Sequence, residues 1–216
     1  MHDEWFARWR EGRIGFHEGH PNVLLEHNVA RLAGCRRVFV PLCGKAEDLA
    51  FLVTRGHEIV GIDLAEEAIR SFFAEHDLVP SIAPRGPYIA YEAGAITLLV
   101  GDFFALTPEL LGPIDAVYDR AALIALPVEI RTRYVAALRA LLPAGAPALV
   151  ITLDYDQRAM PGPPFAVLES ELHTLYAGAT IELLEQRAAT GSGKCAQSGV
   201  PAIECCFAIR WGDPRS

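Results

Sequence analysis

The sequence predicts a single α/β domain whose mostly parallel sheet of seven strands ends in an antiparallel C-terminal hairpin. The first observation is that apolar strand patterns alternate with amphipathic helix patterns between residues 38 and 153, as parallel strands joined by helices do. The second is that the last two strand patterns are separated by a polar, glycine-rich stretch instead of a helix. The third is that no repeat or change of composition divides residues 1–216, so one domain is expected.

The individual elements can be placed along the chain. Strands are expected at residues 38–42, 58–62, 96–100, 114–118, 148–153, 180–184 and 202–211, and the main helices at residues 45–55, 65–76, 128–142 and 166–176. Residues 80–95 contain three prolines and two glycines, which predicts a hairpin inserted before the third core strand. Residues 103–111 are expected to form a short helix or loop, and residues 189–199 a mobile turn.

Two further helix patterns precede the first strand, at residues 3–11 and 22–33. Trp5 and Trp9 share one face of the first of them. Because both helices lie outside the alternating units, residues 1–34 are interpreted as a helical cap or lid over the site. Simple packing on the edge of the sheet is the alternative.

Composition and charge limit the class of partner. Hydrophobic residues make up 51% of the chain and charged residues 21%, and the net charge is −8. The basic residues are scattered, which argues against nucleic-acid and membrane-surface binding. The chain has no membrane-spanning apolar run, and its first residues lack the apolar core of a signal peptide. A cytoplasmic protein with a small-molecule substrate is therefore expected.

The metal-ligating residue types show no metal-site spacing. The five cysteines form no Cys-x-x-Cys motif, so they are expected to be buried free thiols. His17 and His20 are the closest pair of histidines, and no second ligand pair accompanies them. No metal cofactor is predicted.

The turn after the first strand narrows the expected ligand. It contains one glycine, Gly44, whereas a dinucleotide-binding turn needs G-x-G-x-x-G. A Walker A loop is also disfavoured, because Phe39 stands in place of its upstream glycine and Ala46 in place of its serine or threonine. Asp63 closes the next strand about 20 residues after the turn, which suits a ribose. A ligand with a ribose but no phosphate fits, and S-adenosylmethionine is the common one.

The strand count points in the same direction. Five parallel strands followed by an antiparallel hairpin form the Rossmann-like sheet of class I S-adenosylmethionine-dependent methyltransferases. A dehydrogenase domain would instead have six parallel strands.

Residues at the carboxyl ends of the strands are the candidate cofactor contacts. Leu42 and Gly44 are expected to approach the cofactor through their backbone. Asp63 is expected to bind the ribose hydroxyls, and Asp102 to lie beside the adenine amino group with Phe103 against the adenine face. For both aspartates a helix N-cap is the alternative.

Asp119 and Arg120 directly follow the fourth strand pattern and are the candidate chemical groups. Methyl transfer from a sulfonium is a displacement that needs alignment and exclusion of water. If the nucleophile is a thiol, its proton must be held or removed, and Asp119 could do so directly or through a water. Arg120 could bind an anionic or heteroaromatic acceptor or the cofactor carboxylate. A structural ion pair between the two is the alternative.

Six stretches carry a family resemblance, and together they extend over most of the chain. They are WREGRIGF at residues 9–16, VPLCGK at 40–45, RGHEIVGID at 55–63, GDFFAL at 101–106, VYDRAALIAL at 117–126 and GPPF at 162–165. With them the chain resembles bacterial thiopurine S-methyltransferases. The resemblance implies a cytoplasmic, monomeric enzyme that moves a methyl group from S-adenosylmethionine to the sulfur of aromatic or heterocyclic thiols such as thiopurines, leaving S-adenosylhomocysteine.

The resemblance also implies roles at the matched positions. Trp9, Leu42, Asp63 and Arg120 correspond to cofactor contacts, with Asp102 and Phe103 near the adenine. Phe16 corresponds to a residue that stacks on the substrate, which gives the predicted lid a use. The family often has Glu where this chain has Asp63.

Three other functions stay open at this stage. Bacterial relatives are linked to methylation of selenium and tellurium species, and the sequence does not choose between these acceptors and thiols. A nicotinamide-dependent oxidoreductase is disfavoured by the missing glycine fingerprint. A binding module without catalysis is disfavoured by the combination of Phe16, Asp119 and Arg120.

Overall fold

The computed structural model describes residues 19–190 and 194–212, and one sheet of nine strands runs through this part of the chain. The strands are β1 (Arg37–Pro41), β2 (Glu58–Asp63), β3 (Ser81–Arg85), β4 (Tyr88–Ala93), β5 (Ile96–Val100), β6 (Ala116–Arg120), β7 (Pro147–Asp154), β8 (Ala179–Ala188) and β9 (Ile203–Trp211). Their order across the sheet is β3-β4-β5-β2-β1-β6-β7-β9-β8.

Helices cover both faces of this sheet. The α-helices are α1 (Val23–Asn28), α2 (Glu47–Thr54), α3 (Glu66–Glu75), α4 (Pro108–Leu111), α5 (Val128–Leu141), α6 (Glu169–Leu175) and α7 (Lys194–Ser198), and short 3-10 helices occupy Val29–Leu32, Phe103–Ala105 and Leu123–Ala125. No helix in the described ranges combines the length and the apolar character that crossing a bilayer requires.

The five parallel strands and the closing hairpin confirm the predicted fold class. Strands β5, β2, β1, β6 and β7 pair in parallel, and β9 joins β7 antiparallel with β8 outside it. The sheet has two strands more than the seven predicted, because the inserted hairpin, β3 and β4, belongs to it. Strand β4 pairs antiparallel with β5 and so extends that edge of the sheet.

The strand order reverses at β1, and the crevice for a ligand opens there. The chain runs outward from β1 through β2 to β5 and then returns to the other side of β1 as β6. All five residues of β1 pair with β2, but only Val38 and Phe39 pair with β6. The carboxyl ends of β1 and β6 therefore separate, as expected at the switch point of an open α/β sheet.

Alternation along each strand gives the sheet two apolar layers. Phe39, Val60 and Val117 face one layer, which α5 and α6 complete with Tyr134, Leu138 and Leu172 among others. Val38, Val40 and Ile59 face the other layer, which is completed by α1, α2 and α3. Because the central strands are buried on both faces, their sequences are unbroken apolar runs.

Several local predictions need correction. The helix expected over residues 22–33 is split into α1 and a 3-10 turn, and the turn expected over residues 189–199 contains α7. In the described part of residues 1–34, Leu24 and Leu25 are buried in the core and Arg31 binds Glu182 of β8, and the cap or lid over the site stays a prediction. Residues 3–11, Trp9 and Phe16 lie outside the described residues, and so does most of the predicted lid.

The cysteine prediction is largely confirmed. All five cysteines are free, four of them are buried, and Cys35 is half-buried. Within residues 19–190 and 194–212 no group of three or more His, Cys, Asp or Glu side chains is arranged to hold a metal ion.

Candidate active site

The turn after β1 is tightly bent and lies against β2. Leu42 has a φ of 47° and Gly44 a φ of 52°, both in the left-handed region, which costs a leucine energy that the surrounding structure must offset. The Cys43 N–H donates to the Ile62 carbonyl at 3.0 Å. A Cβ on Gly61 would lie 2.8 Å from Cys43 Sγ, so glycine at this position allows the close approach.

Asp63 joins this turn to the loop that leads into α3. Its Oδ2 accepts the N–H of Gly44 at 2.8 Å, and its Oδ1 accepts the N–H of Ala65 at 2.8 Å. Burial raises the pKa of the carboxyl, while the backbone hydrogen bonds from Ala65, Gly44 and Leu64 act in the opposite direction. Each oxygen keeps acceptor capacity for a further donor. Asp63 therefore holds the turn before α3 and does not cap that helix, whose N-cap is Ala65. Its contact with a ribose stays a prediction.

Asp102 has a structural role at the end of β5. Its Oδ1 accepts the N–H of Phe104 at 2.9 Å and so caps the 3-10 helix Phe103–Ala105. Its backbone carbonyl accepts the hydroxyl of Tyr88 at 3.1 Å. The N-cap that the sequence left as an alternative is present, and the side chain remains half-buried at the carboxyl edge.

Phe103 packs into the core directly after β5. The residue is 4% exposed, and its ring lies 6.3 Å from the ring of Phe39 and 5.0 Å from that of Tyr134, centroid to centroid. A hydrophobic residue directly after a strand end fits both a cofactor wall and a core contact. The core contact is present, and the contact with an adenine stays a prediction.

Asp119 also faces the core. It is 0% exposed, its Oδ2 accepts the hydroxyl of Tyr134 at 2.7 Å, and its Oδ1 accepts the N–H of Leu123 at 3.1 Å. Burial raises the pKa of the carboxyl to about 6 against the lowering effect of these hydrogen bonds. Both oxygens are engaged by these donors, and the role in proton transfer stays a prediction.

Arg120 turns to the opposite face of β6, since successive residues of a strand point to opposite sides. Its Nη1 lies 4.0 Å from Oδ2 of Asp48 in α2. The ion pair that the sequence allowed between Asp119 and Arg120 is thus replaced by an interaction with Asp48. The Arg120 side chain is 13% exposed, so it is placed to offer a positive charge at the carboxyl end of β6.

Asp48 is the residue of this site that the sequence interpretation missed. It is 1% exposed in the first turn of α2, on the same helix face as Leu52, which follows four residues later. An acid on the apolar face of a helix was the available signal. Its partners could not be inferred, because they come from β6 and from the start of α1.

The loop after β7 is held in place by hydrogen bonds to its backbone. Tyr155 Oη donates to the Pro164 carbonyl at 2.6 Å, and the Phe165 N–H donates to the Ile124 carbonyl at 2.6 Å. Lys194 of α7 donates through Nζ to the carbonyls of Pro161 at 2.6 Å and Pro163 at 3.1 Å. The Pro/Gly segment is thereby held against the turn that follows β6.

The fold is that of class I S-adenosylmethionine-dependent methyltransferases. Among solved structures, the fold is similar to that of Burkholderia thailandensis 1,6-didemethyltoxoflavin-N1-methyltransferase with bound S-adenosylhomocysteine, at a TM-score of 0.68 and 16% identity over 98% of this chain and 87% of that one. It is also similar to an S-adenosylmethionine-dependent methyltransferase from Anabaena variabilis, at a TM-score of 0.66 and 15% identity over 98% of this chain and 95% of that one.

Sequence comparison gives the family within this class. Residues 1–206 match the family model described as thiopurine S-methyltransferase. A thiopurine S-methyltransferase of Pseudomonas aeruginosa is 50% identical over 85% of this chain and 86% of its own length. One from Pseudomonas fluorescens is 44% identical over 93% and 94%. The chain belongs to the thiopurine S-methyltransferase family.

Proposed function

We propose that the protein transfers the methyl group of S-adenosylmethionine to the sulfur of an aromatic or heterocyclic thiol, such as a thiopurine. The observation that carries the choice of acceptor is the 50% identity to a thiopurine S-methyltransferase over 85% of the chain. The stretches that carry the family resemblance include the turn after β1 and the end of β6, which supports the proposed site.

The carboxyl edge fits this cofactor by the chemistry of its donors and acceptors. Asp63 is a half-buried carboxylate whose two oxygens are fixed by the N–H groups of Gly44 and Ala65, and it can accept from the two hydroxyls of a ribose. The Leu42–Gly44 backbone would hold the ligand from below, and Asp102 would lie towards the adenine. Phe103 contributes through its backbone, and Trp9 and Arg120 complete the proposed set.

Catalysis in this proposal rests on alignment and charge. Bound S-adenosylmethionine supplies an electrophilic methyl group on its sulfonium. Arg120 stabilises the thiolate or the anionic ring of the acceptor, which favours the nucleophilic form. Phe16 stacks on the acceptor, and residues before Asn22 act as the lid that excludes water. The thiol gives its proton to water rather than to Asp119, whose carboxylate accepts from Tyr134 and Leu123. The methyl group then passes to the sulfur, and S-adenosylhomocysteine leaves.

The finer points of the proposal are a monomeric state and a cytoplasmic location, both supported by the family resemblance. The scattered basic residues and the net charge of −8 agree with a protein that binds neither nucleic acid nor a membrane. No observation in the site favours methylation of selenium or tellurium species, and none favours hydride transfer.

Methyl transfer from labelled S-adenosylmethionine to a panel of acceptors tests this proposal. The panel holds thiopurines, aryl thiols, selenite and tellurite, and NAD binding is measured in parallel by calorimetry. We expect label in the thiopurines and aryl thiols and no binding of NAD. Transfer to selenite or tellurite alone would show that the acceptor class is wrong, and NAD binding without S-adenosylmethionine binding would show that the reaction class is wrong.

A further inference from the structure

Asp48 connects three parts of the chain through one buried carboxylate. Its Oδ1 accepts the backbone N–H of Asn22 at 2.7 Å, and its Oδ2 accepts the hydroxyl of Tyr118 at 2.9 Å. The same Oδ2 lies 4.0 Å from Nη1 of Arg120. The Asp48 side chain is 2% exposed, so solvent contributes little to the balance of its charge.

The two hydrogen bonds do not by themselves require a charged group at this position. The Asn22 N–H and the Tyr118 hydroxyl are neutral donors, and an asparagine could accept from the first and donate to the oxygen of the second. Burial of a carboxylate is costly unless a positive charge accompanies it. Arg120 is the positive group that the structure places beside Asp48, so its guanidinium accounts for the charge.

The Asp48 carboxylate also connects Arg120 to the segment that precedes β1. Asn22 is the N-cap of α1, and its Oδ1 accepts the N–H of Leu24 at 2.9 Å. The residues before Asn22 include Phe16, the proposed stacking residue for the acceptor. One carboxylate thus contacts both the arginine of the site and the start of α1.

We propose that Asp48 is a positioning residue that orients the Arg120 guanidinium towards the methyl acceptor and holds it in register with the start of α1. The proposal rests on the function proposed above, because it assigns Arg120 to the acceptor. Asp48 is too deeply buried to touch the substrate, so it acts through Arg120. The substrate class this serves is an acceptor with negative charge on its sulfur or ring.

A double-mutant cycle in kcat/KM for a thiopurine tests this role at saturating S-adenosylmethionine. Asp48→Asn preserves the size of the side chain and removes its charge, and we expect kcat/KM to fall by about tenfold or more. Arg120→Met should lower kcat/KM as well. Because Asp48 acts through Arg120, the double variant should be no worse than Arg120→Met alone. Losses that multiply would overturn the proposal.

A matched control and a second measurement separate positioning from simple stability. Asp115→Asn removes a carboxylate that accepts the N–H groups of Arg36 and Arg37, both at 2.8 Å, next to the amino end of β6, and it should keep wild-type kinetics. A crystal structure of the Asp48→Asn variant should show the Arg120 guanidinium displaced. An unchanged guanidinium would refute the role of Asp48 whether or not any thiol is methylated, whereas inactivity of the wild-type enzyme towards thiols would refute the proposed function alone.

Discussion

The carboxylate of Asp119 accepts a hydrogen bond of 2.7 Å from the hydroxyl of Tyr134, and this contact joins β6 to α5 inside the core. Tyr134 is itself 0% exposed, and burial, with Asp119 second, raises its pKa well above the usual range. The two residues form a buried acid–phenol pair beneath the carboxyl edge, on the opposite face of β6 from Arg120.

The pH dependence of stability should carry a contribution from Asp119. Its pKa is raised to about 6 in the folded protein from the usual 3.8, so between these values the folded state binds more protons than the unfolded state. The free energy of unfolding should therefore fall as pH rises through this window, by about 3 kcal/mol in total, and this contribution should level off above the folded pKa. Urea unfolding of wild type and Asp119→Asn across pH 4–7 measures it.

The difference between the two proteins isolates this effect from other carboxyl groups. Asp119→Asn removes the titration and retains an acceptor for the Leu123 N–H, so the variant should gain stability relative to wild type as pH rises. Parallel curves for the two proteins would show that Asp119 has an ordinary pKa.

The Asp119→Asn variant should also keep substantial turnover at every pH. A loss of turnover concentrated at low pH would show that Asp119 has a role in proton transfer.

Asp63→Ala should weaken binding of S-adenosylmethionine by about 1–3 kcal/mol, the range expected when buried polar partners lose their acceptor. Calorimetric titration of the cofactor gives this value directly. Asp63→Glu is the matched control, because the longer carboxylate keeps the charge and should retain most of the affinity. An unchanged dissociation constant for Asp63→Ala would show that the aspartate serves only Gly44 and Ala65.

Lys194→Met should raise the KM for the acceptor several-fold and leave the affinity for S-adenosylmethionine unchanged. The ammonium group donates to the Pro161 and Pro163 carbonyls, so its loss releases the loop after β7. This loop starts at the carboxyl end of a parallel strand and is bonded to the turn after β6 through Phe165 and Ile124, so we expect it to border the acceptor. Steady-state kinetics with a thiopurine provide the measurement. Arg158→Ala is the control in the same loop, because that side chain is 90% exposed and pairs with Asp156 in solvent, where ion pairs contribute little. Equal KM values for Lys194→Met and wild type would remove the loop from acceptor binding.

Periodicity was sufficient to predict the parallel core because its strands are buried on both faces and its helices are amphipathic. The place of the inserted hairpin in the sheet was not predictable, since the pairing of β4 with β5 depends on tertiary contacts between edge strands. The helix α7 was missed because residues 189–199 carry glycines and polar side chains, and its docking depends on a contact from Lys194 to a distant loop.

The candidate site was likewise predictable only in part. Asp63 and the Leu42–Gly44 turn were predictable because strand-end position and spacing define them. The core contacts of Phe103 and Asp119 were not, because adjacent residues at a strand end face opposite layers and the sequence does not say which layer holds the ligand. Asp48 was recognisable only as an acid on an apolar helix face, and its pairing with Arg120 needed the structure.

The position of the transferred methyl group tests the central claim most directly. The protein is incubated with S-adenosylmethionine and a thiopurine, which offers both a sulfur and ring nitrogens, and the product is identified by NMR and mass spectrometry. The family and the site predict a methyl group on the sulfur, together with S-adenosylhomocysteine in equal amount. Methylation on a ring nitrogen, or release of S-adenosylhomocysteine without a methylated thiopurine, would contradict the account.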